Sequence, residues 1–273
     1  MIPASFDYVR AGSADEAVGA LAQHGDDAKL LAGGMSLIPL MKLRLATPGV
    51  LVDVGRVADL SYIRDAGDHI AVGALTRHRE VETSDLLREQ CGVLRAVAAQ
   101  VGDNQVRHRG TLGGSVSHGD PASDLPAALL ALDATFVVRG GQGERTVAAT
   151  DFFRGFLETA LAPDELLTEI RVPKTGASGF SYQKFNRRAQ DWAIVGAVAV
   201  RNGSTRVALV NMGTTPLRAS AVEQALAAGG SAADASEHAA DGTEPPSDLN
   251  ATPEYRAHLA RVLTRRALEE AGS

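Results

Sequence analysis

The stretch LLAGGMSL, residues 30–37, places two adjacent glycines between a predicted strand and the predicted start of a helix. Glycine permits positive φ angles and lets a ligand approach the main chain without meeting a Cβ atom. A second stretch, RGTLGGSVSHGDPASDLP at residues 109–126, places another glycine pair ahead of a helix. Backbone N–H groups in such segments can converge on one anion, and the hydroxyls of Ser36, Thr111 and Ser115 add donors. The two segments together predict a diphosphate-binding site.

Neither glycine segment is a standard nucleotide-binding motif. Because both lack G-x-G-x-x-G and G-x-x-x-x-G-K-[ST], a Rossmann or P-loop site is not supported. A single glycine pair is more often a tight turn, and the pair at 140–141 is predicted to be only the tip of a hairpin. Asp124 leaves two interpretations open: its carboxylate accepts from sugar hydroxyls, or it is an acidic residue at a helix N-terminus.

Patterning divides the chain into three units, residues 1–57, 58–175 and 176–273. In the first, a helix begins at a capping box of Ser13 and Glu16, and two short apolar strands follow it. The second contains two hairpins with helical segments between them, and the segment 110–126 is predicted as a loop that leads into a helix over 122–132. The third contains three antiparallel strands and a long C-terminal helix, EYRAHLARVLTRRALEEA, whose arginines are predicted to be solvated.

Composition excludes several classes of function. The net charge is −6, so the chain has no global attraction for nucleic acid or for an anionic membrane. Its one cysteine, Cys91, rules out an internal disulfide, a self-contained iron–sulfur cluster and a cysteine-rich zinc site, and is expected to be a small buried residue. No segment approaches the roughly 20 apolar residues of a membrane span. We see no signal peptide at the N-terminus and expect a cytoplasmic protein.

Four blocks of sequence, in order across nearly the whole chain, resemble a known family: LLAGGMSLIPLMKLRLATPGVLVDV, RGTLGGSVSHGDPASDLPAALLALDA, YQKFNRRAQDWAIVGAVAV and PPSDLNATPEYRAHLARVLTRRAL. They resemble the FAD-binding medium subunit of molybdenum hydroxylases of the carbon monoxide dehydrogenase and xanthine dehydrogenase type. The resemblance implies an α+β fold: two α/β subdomains of the vanillyl-alcohol-oxidase-like (PCMH-type) FAD-binding fold, then a C-terminal domain of three antiparallel strands with helices.

The resemblance also implies which residues contact FAD. Ala32, Gly33, Gly34, Met35 and Ser36 match the first diphosphate loop, and Thr111, Gly113, Gly114 and Ser115 match the second. His118 and Asp124 match contacts to the phosphate–ribose region, Lys184 matches a lysine near the isoalloxazine, and Leu31, Gly102 and Leu167 match neighbours of the cofactor. Trp192 falls at an aromatic position that can lie over the flavin, with a core residue as the alternative. Met35 stands where many relatives have His, Gln or Asn, and Ser115 replaces a frequent Asn.

A division of labour among subunits follows from the resemblance. It implies a large molybdopterin subunit that hydroxylates the substrate and a small subunit with two [2Fe–2S] clusters, in a dimer of heterotrimers. This chain would receive electrons in FAD and pass them to an external acceptor, so we expect no catalytic acid or base and no metal ligand in it. Two alternatives stay open: a free-standing FAD oxidoreductase of the same fold, and an assembly subunit that has lost FAD.

Overall fold

The N-terminal part of the chain forms a small parallel sheet with its strands in the order β1–β3–β2. The structure, a computed structural model, describes residues 2–272; Met1 and Ser273, the ends of the predicted units, lie outside the described residues. Three strands and two helices make up this part: β1 (Asp7–Arg10), α1 (Ala14–His24), β2 (Ala28–Leu31), α2 (Leu37–Lys42) and β3 (Val50–Asp53). Because β2 and β3 are parallel, the glycine segment after β2 leaves the sheet at its carboxyl edge.

The predicted capping of α1 is only partly confirmed. The Ser13 hydroxyl accepts a hydrogen bond from the N–H of Glu16 at 3.1 Å, and Gly25, with φ of 54°, ends the helix. The Glu16 carboxylate, however, accepts from the N–H of Gly12 at 2.7 Å. The two side chains therefore satisfy two donors at this helix end, but the second donor precedes the cap by one residue.

The middle of the chain forms a five-stranded antiparallel sheet in the order β4–β5–β10–β6–β7, covered by short helices. Its elements are β4 (Ile63–Asp65), β5 (His69–Gly73), α3 (His78–Thr83), α4 (Asp85–Gln90), α5 (Gly92–Ala98), α6 (Asn104–Arg109), α7 (Leu112–His118), α8 (Asp124–Ala131), β6 (Thr135–Gly140), β7 (Gly143–Ala148), α9 (Ala149–Phe152), β8 (Phe153–Gly155), β9 (Glu158–Thr159) and β10 (Leu166–Pro173). The predicted hairpins and their turns are confirmed. The prediction of a loop over 110–126 is wrong in part, because α7 lies within it.

The last part of the chain is a four-stranded antiparallel sheet whose own helices cover one face, while α8 of the middle part covers the other. Its elements are β11 (Phe180–Phe185), β12 (Val195–Asn202), β13 (Ser204–Val210), β14 (Leu217–Arg218), α10 (Ser220–Ala227), α11 (Ala232–Ser236) and α12 (Pro253–Gly272). The three predicted strands and the long final helix are confirmed. The prediction that the arginines of α12 are solvated is wrong for Arg256, which is fully buried, donates to the carbonyl of Ile194 and pairs with Asp248 at 2.8 Å.

Helix α8 joins the middle and last sheets. All of its residues are buried, because it packs against α5 and α7 on one side and against β12 and β13 on the other. Cys91, at the start of α5, is buried as predicted, and this burial raises the pKa of its thiol to about 12. No helix within residues 2–272 is both long and apolar enough to cross a membrane.

Candidate functional site

A cleft of about 460 Å³ lies where the segment after β2 faces α7. Its walls are formed by β2 and α2 on one side, and by the ends of β5 and β10 and helix α7 on the other. Most of the residues predicted to contact the cofactor line it: Ala32, Gly33, Gly34, Met35, Ser36, Thr111, Gly113, Gly114, Ser115, His118 and Leu167. The structure therefore brings both glycine segments to one cavity. Leu31, Gly102, Asp124, Lys184 and Trp192 are not among the lining residues.

The first glycine segment leaves a run of backbone donors without partners. Within residues 2–272, no hydrogen bond has the N–H of any residue from Gly33 to Leu37 as its donor. Gly34 has φ of 75°, and this left-handed conformation turns the chain between β2 and α2. The Ser36 hydroxyl precedes α2 without capping it. Consecutive free N–H groups of this kind form a concave anion-binding site.

The second glycine segment has its donors satisfied. Thr111 caps α7 by accepting from the N–H of Gly114 at 3.1 Å, and the N–H of Ser115 donates to the Thr111 carbonyl at 3.1 Å. The N–H groups of Leu112 and Gly113 donate to the carbonyls of Thr76 and Ala74, both at 2.9 Å. The expectation that this segment also presents free N–H groups is therefore wrong. What it presents to the cleft is side chains, including Ser115, Ser117 and His118.

The glycines of the second segment permit close packing. A Cβ atom at Gly113 would lie 2.5 Å from the Cβ and 2.7 Å from the carbonyl oxygen of Ala74. A Cβ atom at Gly114 would lie 2.6 Å from the hydroxyl of Thr111, in the space that the cap occupies. Both glycines are thus required by the contact of α7 with the end of β5 and by the capping of the helix.

Two histidines line the cleft beside α7. Burial lowers the pKa of His118, so its ring is neutral at neutral pH. His78, which sequence reasoning missed, is 3% exposed, and burial together with Arg77 and Arg107 lowers its pKa to about 4. Its Nε2 atom lies 3.4 Å from the hydroxyl oxygen of Ser115. The sequence around it, TRHREVETS, shows a helical pattern and offers no indication of this contact.

Asp124 and Lys184 form a buried ion pair outside the cleft lining. The Lys184 ammonium lies 2.8 Å from one carboxylate oxygen of Asp124 and 2.9 Å from the carbonyl oxygen of Gln100, and the Tyr182 hydroxyl donates to the other carboxylate oxygen. Burial raises the pKa of Asp124, although Lys184 and Tyr182 oppose this shift. The pair joins α8 to β11, and its contact with Gln100 brings it near Gly102. Lys184 is not a solvated strand lysine, since only 3% of its side chain is exposed.

Trp192 lies at a second cavity, of about 630 Å³, lined also by Phe156, Arg187 and the buried Arg256. Its side chain is 56% exposed, so the alternative in which it is a core residue is wrong. Leu31 is the last residue of β2, directly before the first glycine segment, and its carbonyl accepts from the N–H of Val54 at 3.0 Å.

Comparison with known proteins gives matches over the whole chain. Residues 4–175 match the family described as FAD binding domain in molybdopterin dehydrogenase, and residues 180–271 match the CO dehydrogenase flavoprotein C-terminal domain. The chain is 41% identical to the carbon monoxide dehydrogenase medium chain of Afipia carboxidovorans, covering 99% of this chain and 98% of that one. It is 37% identical to the 6-hydroxypseudooxynicotine dehydrogenase complex subunit alpha of Paenarthrobacter nicotinovorans, covering 99% and 96%. The fold superimposes on a solved structure of carbon monoxide dehydrogenase from Hydrogenophaga pseudoflava with a TM-score of 0.96 and 40% identity, covering 100% of this chain and 99% of that chain.

Proposed function

The chain belongs to the family of FAD-binding medium subunits of molybdenum hydroxylases. We propose that it binds FAD, and that this FAD receives electrons from an iron–sulfur partner and passes them to an external electron acceptor. The observation that carries the proposal is the run of free N–H groups from Gly33 to Leu37 at the edge of the cleft. An acidic protein without a large basic patch can hold a diphosphate there, because oriented backbone dipoles replace charged side chains.

The residues of the cleft fit an FAD diphosphate. The first segment supplies donors, and Gly33 keeps it close to the second, since a Cβ atom at Gly33 would overlap the carbonyl oxygen of Arg109. Ser36 and Ser115 add hydroxyl groups on opposite walls. We assign the diphosphate to Ala32–Ser36 and to the Ser115 hydroxyl, with Thr111, Gly113 and Gly114 as the closely packed wall beside it. His118 is proposed at the phosphate–ribose part and Leu167 as an apolar neighbour.

We place the flavin end of the cofactor toward Lys184, and we keep its ion-pair partner Asp124 at the phosphate–ribose side, as the resemblance implies. Gly102, near the lysine contact with Gln100, is a proposed neighbour of this end, and Trp192 is proposed to cover the ring. Leu31, directly before the first glycine segment, is a proposed neighbour of the cofactor at its diphosphate. When bound, FAD supplies the redox chemistry, which accepts and releases electrons without an acid or base from the protein. The task proposed for Lys184 is electrostatic: its ammonium, partly offset by the Asp124 carboxylate 2.8 Å away, would stabilise negative charge on a reduced flavin nearby.

The partners are proposed from relatives that are named as medium chains or subunits of complexes. We propose a large subunit with the molybdopterin and a small subunit with two [2Fe–2S] clusters, assembled with this chain as a dimer of heterotrimers. With Cys91 as its one cysteine, this chain cannot ligate such clusters itself. The substrate would be recognised in the large subunit, in agreement with relatives whose names give substrates as different as carbon monoxide and 6-hydroxypseudooxynicotine.

The test is to purify the full chain alone and together with its partner subunits. We expect the chain alone to bind one FAD per molecule, seen as flavin absorbance after gel filtration, and not to be reduced by candidate substrates. Within the assembly, the same flavin should be reduced by the substrate of the large subunit. A chain that takes up no FAD would favour the flavin-free assembly subunit, and substrate reduction of the isolated chain would favour the free-standing oxidoreductase.

A further inference from the structure

We propose that His78 is a positioning residue that holds the hydroxyl group of Ser115 so that its proton points into the cleft, toward the diphosphate of the cofactor. The inference rests on the proposed function of the cleft as an FAD site. It assigns a role to a side chain that no sequence motif identifies.

His78 is built into the wall of the cleft behind α7. Its ring is 3% exposed and lines the cavity together with Ser115. Its backbone N–H donates to the carbonyl of Gly110 at 3.0 Å, one residue before the Thr111 cap. The ring also packs on Gly110, where a Cβ atom would lie 2.6 Å from the His78 ring. Main-chain and ring contacts therefore fix the imidazole relative to the start of α7.

The ring is neutral under ordinary conditions. Burial, together with the guanidinium groups of Arg77 and Arg107, lowers its pKa to about 4. A neutral imidazole carries one N–H donor and one acceptor nitrogen. Nε2 lies 3.4 Å from the Ser115 oxygen, while Nδ1 is buried and has no partner among residues 2–272. The position of the single proton therefore decides whether the serine donates or accepts.

Two tautomers are possible, and they differ in the group that is left without a partner. With the proton on Nδ1, Ser115 would donate to Nε2, and a buried N–H group would have no acceptor, which native structures rarely contain. With the proton on Nε2, the ring donates to Ser115 and only a lone pair on Nδ1 is unpartnered. The second arrangement uses the serine oxygen as an acceptor and leaves its O–H group available as a donor.

The O–H group of Ser115 is available to the cleft. Among the hydrogen bonds of residues 2–272, the side chain of Ser115 has no partner other than His78. Ser115 is half-buried and lines the cleft, opposite the free N–H groups that begin at Gly33. A hydroxyl oriented in this way adds a charge-assisted donor to the diphosphate site from the wall whose backbone donors are all satisfied.

The test is a double-mutant cycle on the full chain, measured as the dissociation constant of FAD by quenching of flavin fluorescence. S115A should weaken FAD binding by roughly tenfold, because a hydrogen bond to a charged group is lost. H78L should weaken it comparably, and H78L in the S115A background should cause no further loss. H78Q, whose amide can donate to Ser115, should restore most of the affinity. ADP, which carries the diphosphate without the flavin, should show the same pattern as a competitor.

A second measurement tests the tautomer directly. Nitrogen-15 chemical shifts of the His78 ring should identify Nε2 as the protonated nitrogen in the chain without FAD. An Nδ1-protonated ring would overturn the inference. So would independent, additive losses from H78L and S115A, which would mean that His78 acts only through packing. A wild-type chain that binds no FAD would refute the proposed function instead, whereas wild-type binding with unaffected variants would refute only the role of His78.

Discussion

The two glycine segments have similar sequences, but they contribute different groups to the cleft. After β2, the five consecutive N–H groups from Gly33 to Leu37 have no acceptor among residues 2–272, and Gly34 has φ of 75°. TLGGS at the start of α7 has every first-turn N–H paired, and Gly113 packs against the main chain of Ala74. The first segment is a donor site, and the second is a closely packed wall that carries side chains.

The difference shows that a glycine pair can be selected for two separate physical reasons. At Gly34 the main reason is conformational, because an L-residue with a positive φ angle costs free energy. An added Cβ there would also lie 2.7 Å from Cδ1 of Ile38, but this is the end of a flexible, partly exposed side chain that can move. At Gly113 the reason is steric, because there is no room for a Cβ atom between α7 and the end of β5. Substitutions at the two positions should therefore fail in different measurements.

The largest effect should come from Gly113→Ala. The added Cβ would meet backbone atoms of Ala74, which cannot rotate away, so we expect the free energy of unfolding to fall by about 3 kcal/mol. Thermal unfolding of the FAD-free chain should shift down by roughly 5–10 °C. The matched control is Gly141→Ala, at a hairpin tip where a Cβ has nothing within 4 Å, and it should leave the melting temperature nearly unchanged. Equal melting temperatures for the two variants would contradict the steric reading of the second segment.

The next largest effect should be a loss of folding stability in acid, caused by His78, whose ring lies against Ser115 of the second segment. Burial lowers the pKa of its ring to about 4 from 6.5, so the unfolded chain takes up a proton at higher pH than the folded chain. The stability associated with the neutral ring is complete above pH 6.5 and is lost as the pH falls toward 4. Between pH 7.5 and pH 5 we expect His78 to contribute a loss of about 2 kcal/mol.

Chemical denaturation of wild type and H78Q across this pH range isolates the contribution of His78. The carboxylates titrate in both proteins, so the difference between the two curves reports the histidine alone. A difference that stays constant from pH 7.5 to pH 5 would mean that the ring is not held neutral. The first segment has no titratable side chain from Ala32 to Leu37 and should contribute nothing to the difference.

Much of this architecture could be predicted from local sequence, since strands, turns and the α1 cap are set by neighbouring residues. The misses have physical causes. β1 is a four-residue edge strand of mostly exposed residues, and α7 contains two glycines that weaken its helix propensity. Both elements form because of tertiary contacts: β1 pairs with β3, and α7 is bonded to Ala74 and Thr76.

For the candidate site too, some features could be predicted from local sequence and others could not. The glycine segments and their hydroxyls could be located from the sequence. Which segment keeps its N–H groups free could not, because that depends on the carbonyls of Ala74 and Thr76 in the turn after β5. The Asp124–Lys184 pair joins residues 60 positions apart, and Arg256 reaches a carbonyl 62 positions away. His78 contacts Ser115 across 37 positions. Long-range polar contacts of this kind have no local pattern to reveal them.

A moderate effect should follow from Gly34→Ala, and it should fall on the cofactor rather than on the fold. Alanine at φ of 75° is strained, and relief of the strain would rotate the neighbouring N–H groups out of the donor run. We expect FAD affinity to fall by about tenfold, while the melting temperature of the FAD-free chain falls less than in Gly113→Ala. Gly229→Ala controls for strain alone, because Gly229 also has a positive φ, with nothing near its Cβ position, and does not line the cleft. Equal FAD binding by the two variants would remove the first segment from the cofactor site.

The smallest effect should come from Met35→Gln, which adds a side-chain amide donor to the segment that already supplies backbone N–H donors. Met35 lines the cleft and is 38% exposed, so a glutamine fits without burying an unpaired polar group. Its amide can join the donors of the first segment, and we expect FAD to bind about two- to fivefold more tightly with no change in the melting temperature of the FAD-free chain. Met35→Leu, which keeps the size and adds no donor, should bind FAD as wild type does. If leucine improved FAD binding as much as glutamine, the gain would come from packing and not from an added donor. The first segment would then act on the cofactor through packed side chains, as the second segment does, and not through donors alone.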